Sequence, residues 1–131
     1  MPARHILVVD DEQNVRDITK LLLEMSGHTV GCAEDGQEAL RELAENTYDG
    51  VIADMLMPGM DGVELLNELK NWDVPLRVVA MSGGGHAPKE SYLKIAQLAG
   101  AHALLPKPFN REQLDRAVAE AFREAPPPVK N

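Results

Sequence analysis

The sequence predicts an α/β fold, a parallel sheet of five strands with helices on both faces, and two observations carry that prediction. Short, wholly apolar runs alternate with stretches of helical period along the 131 residues, the pattern of strands buried on both faces between amphipathic helices. Carboxylates, a hydroxyl and a lysine follow directly on the ends of those runs, and open α/β sheets bind ligands just beyond the carboxyl ends of their strands.

Each element has its own warrant. Ile6-Leu7-Val8-Val9 is apolar throughout, as a doubly buried strand must be. After Asp10-Asp11-Glu12, Val15, Ile18, Leu22 and Met25 recur at helical spacing, and Gly27 supplies a stop. Thr29 to Ala33 is a second strand, short and interrupted by Gly31. Asp35-Gly36 opens a helix with Ala39, Leu40, Leu43 and Ala44 on one face. Val51-Ile52-Ala53 is the third strand, ending at Asp54, and the Pro and Gly residues of Met57 to Gly62 impose a loop. Leu65, Leu66 and Leu69 mark the third helix.

Leu76 to Met81 is the fourth strand, stopped by Ser82-Gly83-Gly84-Gly85. Tyr92, Ile95, Ala96 and Ala99 give a fourth helical face, ending at Gly100. Ala103-Leu104-Leu105 is the fifth strand, cut by Pro106. Asn110 with Gln113 forms a capping box for a last helix, whose inner stripe is Leu114, Ala117, Val118, Ala121 and Phe122. From Ala125 to Asn131 the prolines forbid a helix, so a short extended tail is expected.

Composition narrows the function. The length suits one domain, and a hydrophobic share of 44% supplies its core. Thirteen basic against 21 acidic residues leave a net charge of −8, which argues against nucleic acid and anionic membrane surfaces as partners. The single Cys32 excludes a disulfide framework and a cysteine zinc site, and it reads as buried and inert. No run has the length of a membrane span, and the first residues lack a secretory leader, so a cytoplasmic location is expected.

The residues at the strand ends carry the chemistry. Asp10-Asp11, Asp54, Ser82 and Lys107 converge on one edge of the expected sheet. Three carboxylates in one place repel unless a cation joins them. Magnesium suits oxygen ligands, and it usually combines one or two carboxylates with phosphate oxygens. Lys107 and Ser82 would meet further phosphoryl oxygens, and a carboxylate can itself attack phosphorus. Asp54, alone at the middle of the edge, is the candidate nucleophile. Taken singly the residues have plainer readings: acidic helix caps for Asp10 to Glu12, a turn residue for Ser82, a solvated charge for Lys107. Met55, Met57, Met60 and Met81 read as core and loop filler, and His5, His28, His86 and His102 show no ligand spacing.

Val8-Val9-Asp10-Asp11-Glu12, Asp54 with Met57-Pro58-Gly59-Met60-Asp61-Gly62, Met81-Ser82-Gly83 and Leu105-Pro106-Lys107-Pro108-Phe109 together resemble the receiver domain of bacterial two-component response regulators. The likeness covers residues 4–124, and 125–131 is expected to be a short proline-rich tail with no output domain. It implies a flavodoxin-like (βα)5 fold with strand order 2-1-3-4-5. It also implies that Asp54 is the phosphoacceptor, charged by a histidine kinase or a histidine phosphotransfer protein. Asp11 and Asp54 would hold Mg²⁺ directly, helped by the backbone carbonyl of Leu56, while Asp10 acts largely through water. Ser82 and Lys107 would bind the phosphoryl group, and Lys107-Pro108 would be a cis peptide. The histidine donor would dock on the first helix and the Pro108-Phe109 turn, with Val15, Ile18 and Phe109 as candidates. The product would be a switch, monomeric or dimerising on phosphorylation, that acts on a downstream protein rather than a turnover enzyme.

Two departures shape further expectations. Leu104 stands where the family usually carries an aromatic that turns inward, so the Gly83-Gly84-Gly85 loop is expected to carry the switch instead. Leu56 and Gly84 stand where a hydrolytic water is often oriented; neither side chain can hold one, so slow self-dephosphorylation is expected. Two other functions stay open: an Mg²⁺-dependent aspartyl-phosphate phosphatase, which would want an acid/base two residues past its nucleophile, and a receiver-like docking module that never switches.

Overall fold

The computed structural model describes residues 2–55, 62–72, 76–82 and 100–123. Along them run β1 (His5–Val9), α1 (Gln13–Met25), β2 (Thr29–Ala33), α2 (Gly36–Glu45), β3 (Gly50–Asp54), α3 (Gly62–Lys70), β4 (Arg77–Ser82), β5 (Ala103–Pro106) and α4 (Arg111–Phe122). The strands form one parallel sheet in the order β2-β1-β3-β4-β5. That is the doubly wound, flavodoxin-like arrangement the sequence implied. The helix expected around Tyr92 to Ala99, the Met57 to Asp61 loop, the Gly83 to Gly85 loop with His86, and the tail from Ala125 lie outside the described residues.

The apolar runs fill two cores because successive strand residues point to opposite faces. Leu7, Val9, Val51, Ala53 and Val78 pack with Ala39 of α2 and Leu65, Leu66 and Leu69 of α3. Ile6, Val8, Ile52, Val79 and Met81 pack with Leu23 of α1 and with Leu114, Ala117 and Val118 of α4. Every residue of β3 is buried, and each such Val or Ile contributes about 1.5–3 kcal/mol relative to exposure. The expected caps form. Asp35 accepts from the Glu38 amide, and Asn110 and Gln113 bond reciprocally as a capping box.

On α1 the structure departs from the expected face. Thr19 and Leu23 are the buried residues, whereas Ile18 is 57% and Met25 54% exposed, with Leu21 beside them at 58%. The helical period is as expected and Leu22 of the expected face packs partly buried against the core, but the buried stripe is turned away from Ile18 and Met25. Leu21-Leu22-Leu23 offers an apolar side chain in three successive directions, and the docking of α1 on the sheet buries Leu23 fully and Leu22 partly while leaving Leu21 exposed.

Gly31, which interrupts β2, has a packing role. A Cβ there would strike the hydroxyl of Tyr48, a buried ring that stacks on His5 and donates to Glu42 at 2.7 Å. Gly62 opens α3 rather than closing the expected loop, and a Cβ at that position would meet the backbone oxygen of Asp54. This close approach brings α3 directly against the end of β3.

Candidate functional site

Sheet register assembles the site. β1 pairs with β3 through Val9 and Ala53, so Asp10 and Asp54, the next residue on each strand, stand side by side where the strand order reverses. Asp54 pairs with Met81 on β4, and Ser82 with Pro106 on β5. Lys107 follows at once, its amide donating to the Ser82 carbonyl at 2.6 Å. The Lys107-Pro108 peptide is cis, as the resemblance implied.

Lys107 ties the edge together. Its Nζ donates to Asp10 Oδ2 at 2.9 Å and to Asp54 Oδ2 at 3.0 Å. Asp10 is wholly buried and Asp54 nearly so. Burial by itself lowers the Lys107 pKa, but the hydrogen bond it donates to Asp10 and the charge of Asp54 outweigh it, and the ammonium is held above its ordinary range. Ser82 is also buried, and its hydroxyl has no hydrogen-bond partner among the described residues. An orphaned buried donor costs about 1–3 kcal/mol, and a phosphoryl oxygen would satisfy this one.

Both carboxylate oxygens of Asp10 are engaged, Oδ2 by Lys107 and Oδ1 by the Glu12 amide at 2.9 Å. Asp11 and Glu12 are exposed, and each residue of the Asp10-Asp11-Glu12 group can place one carboxylate oxygen within 4.8 Å of the others. Hard oxygen donors at this spacing suit Mg²⁺. Leu56, whose carbonyl was the further expected ligand, lies outside the described residues.

Leu104 is half-buried and packs against the core on the α3 side. Beside the site, Val15, Ile18, Pro108 and Phe109 line a cavity of about 320 Å³ that also reaches Lys107. Sequence reasoning missed Arg16, whose guanidinium donates to the Asp10 carbonyl at 2.7 Å. Its signal was available: a cation one helical turn beyond Glu12, in reach of the acidic turn. It also missed His28, which is buried and accepts the Arg4 amide at 3.0 Å. Cys32, expected to be buried and inert, is half-buried on an edge strand, and burial pushes its thiol pKa up.

The doubly wound sheet and the acidic cluster at its strand ends have the form expected of a receiver domain in two-component signalling. Residues 6–119 match the response regulator receiver domain, and the chain belongs to that family. FixJ, a transcriptional regulatory protein of Bradyrhizobium diazoefficiens, is 35% identical over 127 residues, which are 97% of this chain and 60% of FixJ. The response regulator MprA of a Mycobacterium species is 36% identical over 128 residues, 97% of this chain and 54% of MprA. The chain therefore spans little more than half the length of these relatives. Among solved structures, a response regulator receiver domain protein from Clostridium thermocellum superposes with a TM-score of 0.81 at 34% identity, over 90% of this chain and 93% of that one. The chemotaxis response regulator CheY4 of Vibrio cholerae gives 0.80 at 26% identity, over 92% and 100% respectively. Among the described residues no helix is long and apolar enough to cross a membrane.

Proposed function

We propose that the chain is a phosphorylation switch in which Asp54 accepts a phosphoryl group from a phosphohistidine of a kinase or phosphotransfer protein. One observation carries the reading: a buried lysine bridges the Asp54 and Asp10 carboxylates at 3.0 and 2.9 Å, beside a buried serine hydroxyl that lacks a partner among the described residues. An Asp54 carboxylate oxygen attacks phosphorus, the P–N bond breaks, and its electron pair returns to the imidazole. Lys107 exchanges a carboxylate for a phosphoryl oxygen, and Ser82 donates to another. Mg²⁺, when bound, neutralises the charge that gathers on the transferred oxygens. Asp11, exposed at the site, would ligate it with Asp54 and the Leu56 carbonyl, whereas Asp10, engaged at both oxygens, would act through water.

The donor histidine would approach over the Val15, Ile18 and Phe109 cavity, which opens beside Lys107. The phosphorylated surface then binds a downstream protein. A net charge of −8 argues against direct contact of this receiver body with nucleic acid.

Incubation with Mg²⁺ and acetyl phosphate tests the proposal. A single base-labile adduct that Asp54→Asn abolishes supports the switch. Continuous release of inorganic phosphate would support a phosphatase instead, and no adduct would leave a docking module.

A further inference from the structure

We infer that Arg16 is a positioning residue for the metal-binding turn, its guanidinium setting the Asp10-Asp11 peptide plane and with it the stance of the Asp11 carboxylate. The inference rests on the Mg²⁺ reading proposed above. The β1–β2 ladder ends at Val9 and Ala33, and the Asp10 amide still reaches the Ala33 carbonyl at 3.2 Å. The Asp10 carbonyl lies past the ladder, on a residue with no solvent exposure, so it needs a donor from elsewhere. Arg16 reaches back from α1 to supply it at 2.7 Å.

The remaining polar atoms of Asp10 are held independently, Oδ1 by the Glu12 amide and Oδ2 by Lys107. Losing Arg16 therefore leaves the Asp10 side chain in place and frees the peptide that launches Asp11. Among the described residues Arg16 forms no ion pair with a carboxylate, so its link to the turn runs through the main chain.

Charge and position have opposite signs here, which makes the roles separable. A fixed guanidinium beside a dication repels it, so a purely electrostatic Arg16 would weaken Mg²⁺ binding, and its removal would tighten binding. A positioning Arg16 has the reverse effect, because removal loosens the ligand turn.

The test is calorimetric titration of MgCl₂ into the full chain and into Arg16→Met and Arg16→Lys, well below the thermal midpoint of each. Groups that orient metal ligands cost about tenfold or more in affinity when removed, so Arg16→Met is expected to bind about tenfold more weakly. Arg16→Lys, which keeps a donor, should recover part of that loss. In the metal-free protein, the Asp11 and Glu12 amide NMR signals should shift or broaden in Arg16→Met while those of β3 stay put. Affinity in Arg16→Met equal to or tighter than that of the unaltered chain overturns the inference. Should Arg16→Met fail to fold by circular dichroism, Arg16→Gln takes its place in the same comparison. If the unaltered chain binds no Mg²⁺, the site reading itself falls and this inference with it; normal binding with an indifferent Arg16→Met overturns this inference alone.

Discussion

Replacing Lys107 by methionine keeps most of the stem and removes the ammonium that pairs with both buried carboxylates. The pairs measure 2.9 and 3.0 Å, with the lysine side chain 15% exposed. At an effective dielectric near 20, charges ~3 Å apart attract by about 5 kcal/mol per pair before solvation is counted. Desolvation of the ammonium offsets much of this, and breaking a buried pair by deleting one partner costs about 3–5 kcal/mol. Partial exposure of Lys107 lets water in, so the lower end, about 3 kcal/mol, is expected. The lysine pKa is raised, so its stabilisation is fully present below the ordinary 10.5 and is lost only as pH climbs through the higher folded value. Urea denaturation at pH 7 therefore reads the whole contribution. The assay compares unaltered chain and Lys107→Met in chelator and in excess Mg²⁺. The variant should lose about 3 kcal/mol in chelator, and Mg²⁺ should return more stability to it than to the unaltered chain, because the dication replaces the missing positive charge. A loss below about 1 kcal/mol, or equal Mg²⁺ increments in both proteins, would refute the reasoning.

Gly31→Ala drives a methyl into the Tyr48 hydroxyl and should cost about 1–3 kcal/mol in chemical denaturation; pairing it with Tyr48→Phe should recover part of that loss, since the hydroxyl is the nearest obstacle. His28 accepts the Arg4 amide on Nδ1 and cannot carry a proton there while that bond stands. Burial lowers its pKa, against the pull of Asp115 and with the push of Arg4. The unfolded chain takes up a proton near 6.5 that the folded chain refuses, so stability is full above that value and falls as pH drops through it towards the folded pKa. Urea midpoints followed from pH 8 to 5 should show this slope, at most about 1.4 kcal/mol per pH unit, and His28→Asn should flatten it by one proton's worth.

Much of this was legible along the chain because it is local or periodic. Alternation of Leu7 and Val9 with Ile6 and Val8 needs no partner to be read, nor does the box formed by Asn110 and Gln113, and carboxylates placed directly after strands announce a ligand edge. The phase of α1 was not legible. Three consecutive leucines leave the helix free to dock by any of them, and the sheet took Leu23 fully and Leu22 partly, leaving Ile18, Leu21 and Met25 on the surface. Gly31 looked like a defect in a strand until Tyr48, 17 residues on, filled the space above it.

By itself the sequence determined the order of the described elements, the strand ends that bear the candidate site residues and the family that shares them. Only the tertiary structure decided how those ends engage one another: that Lys107 reaches across 97 residues to Asp10 and 53 to Asp54, and that Arg16 turns back to the Asp10 carbonyl. The physical reason is that periodicity assigns a residue to a face, whereas a hydrogen bond depends on distances of a few tenths of an ångström, which exist only once the sheet's register and the packing of its helices have been set.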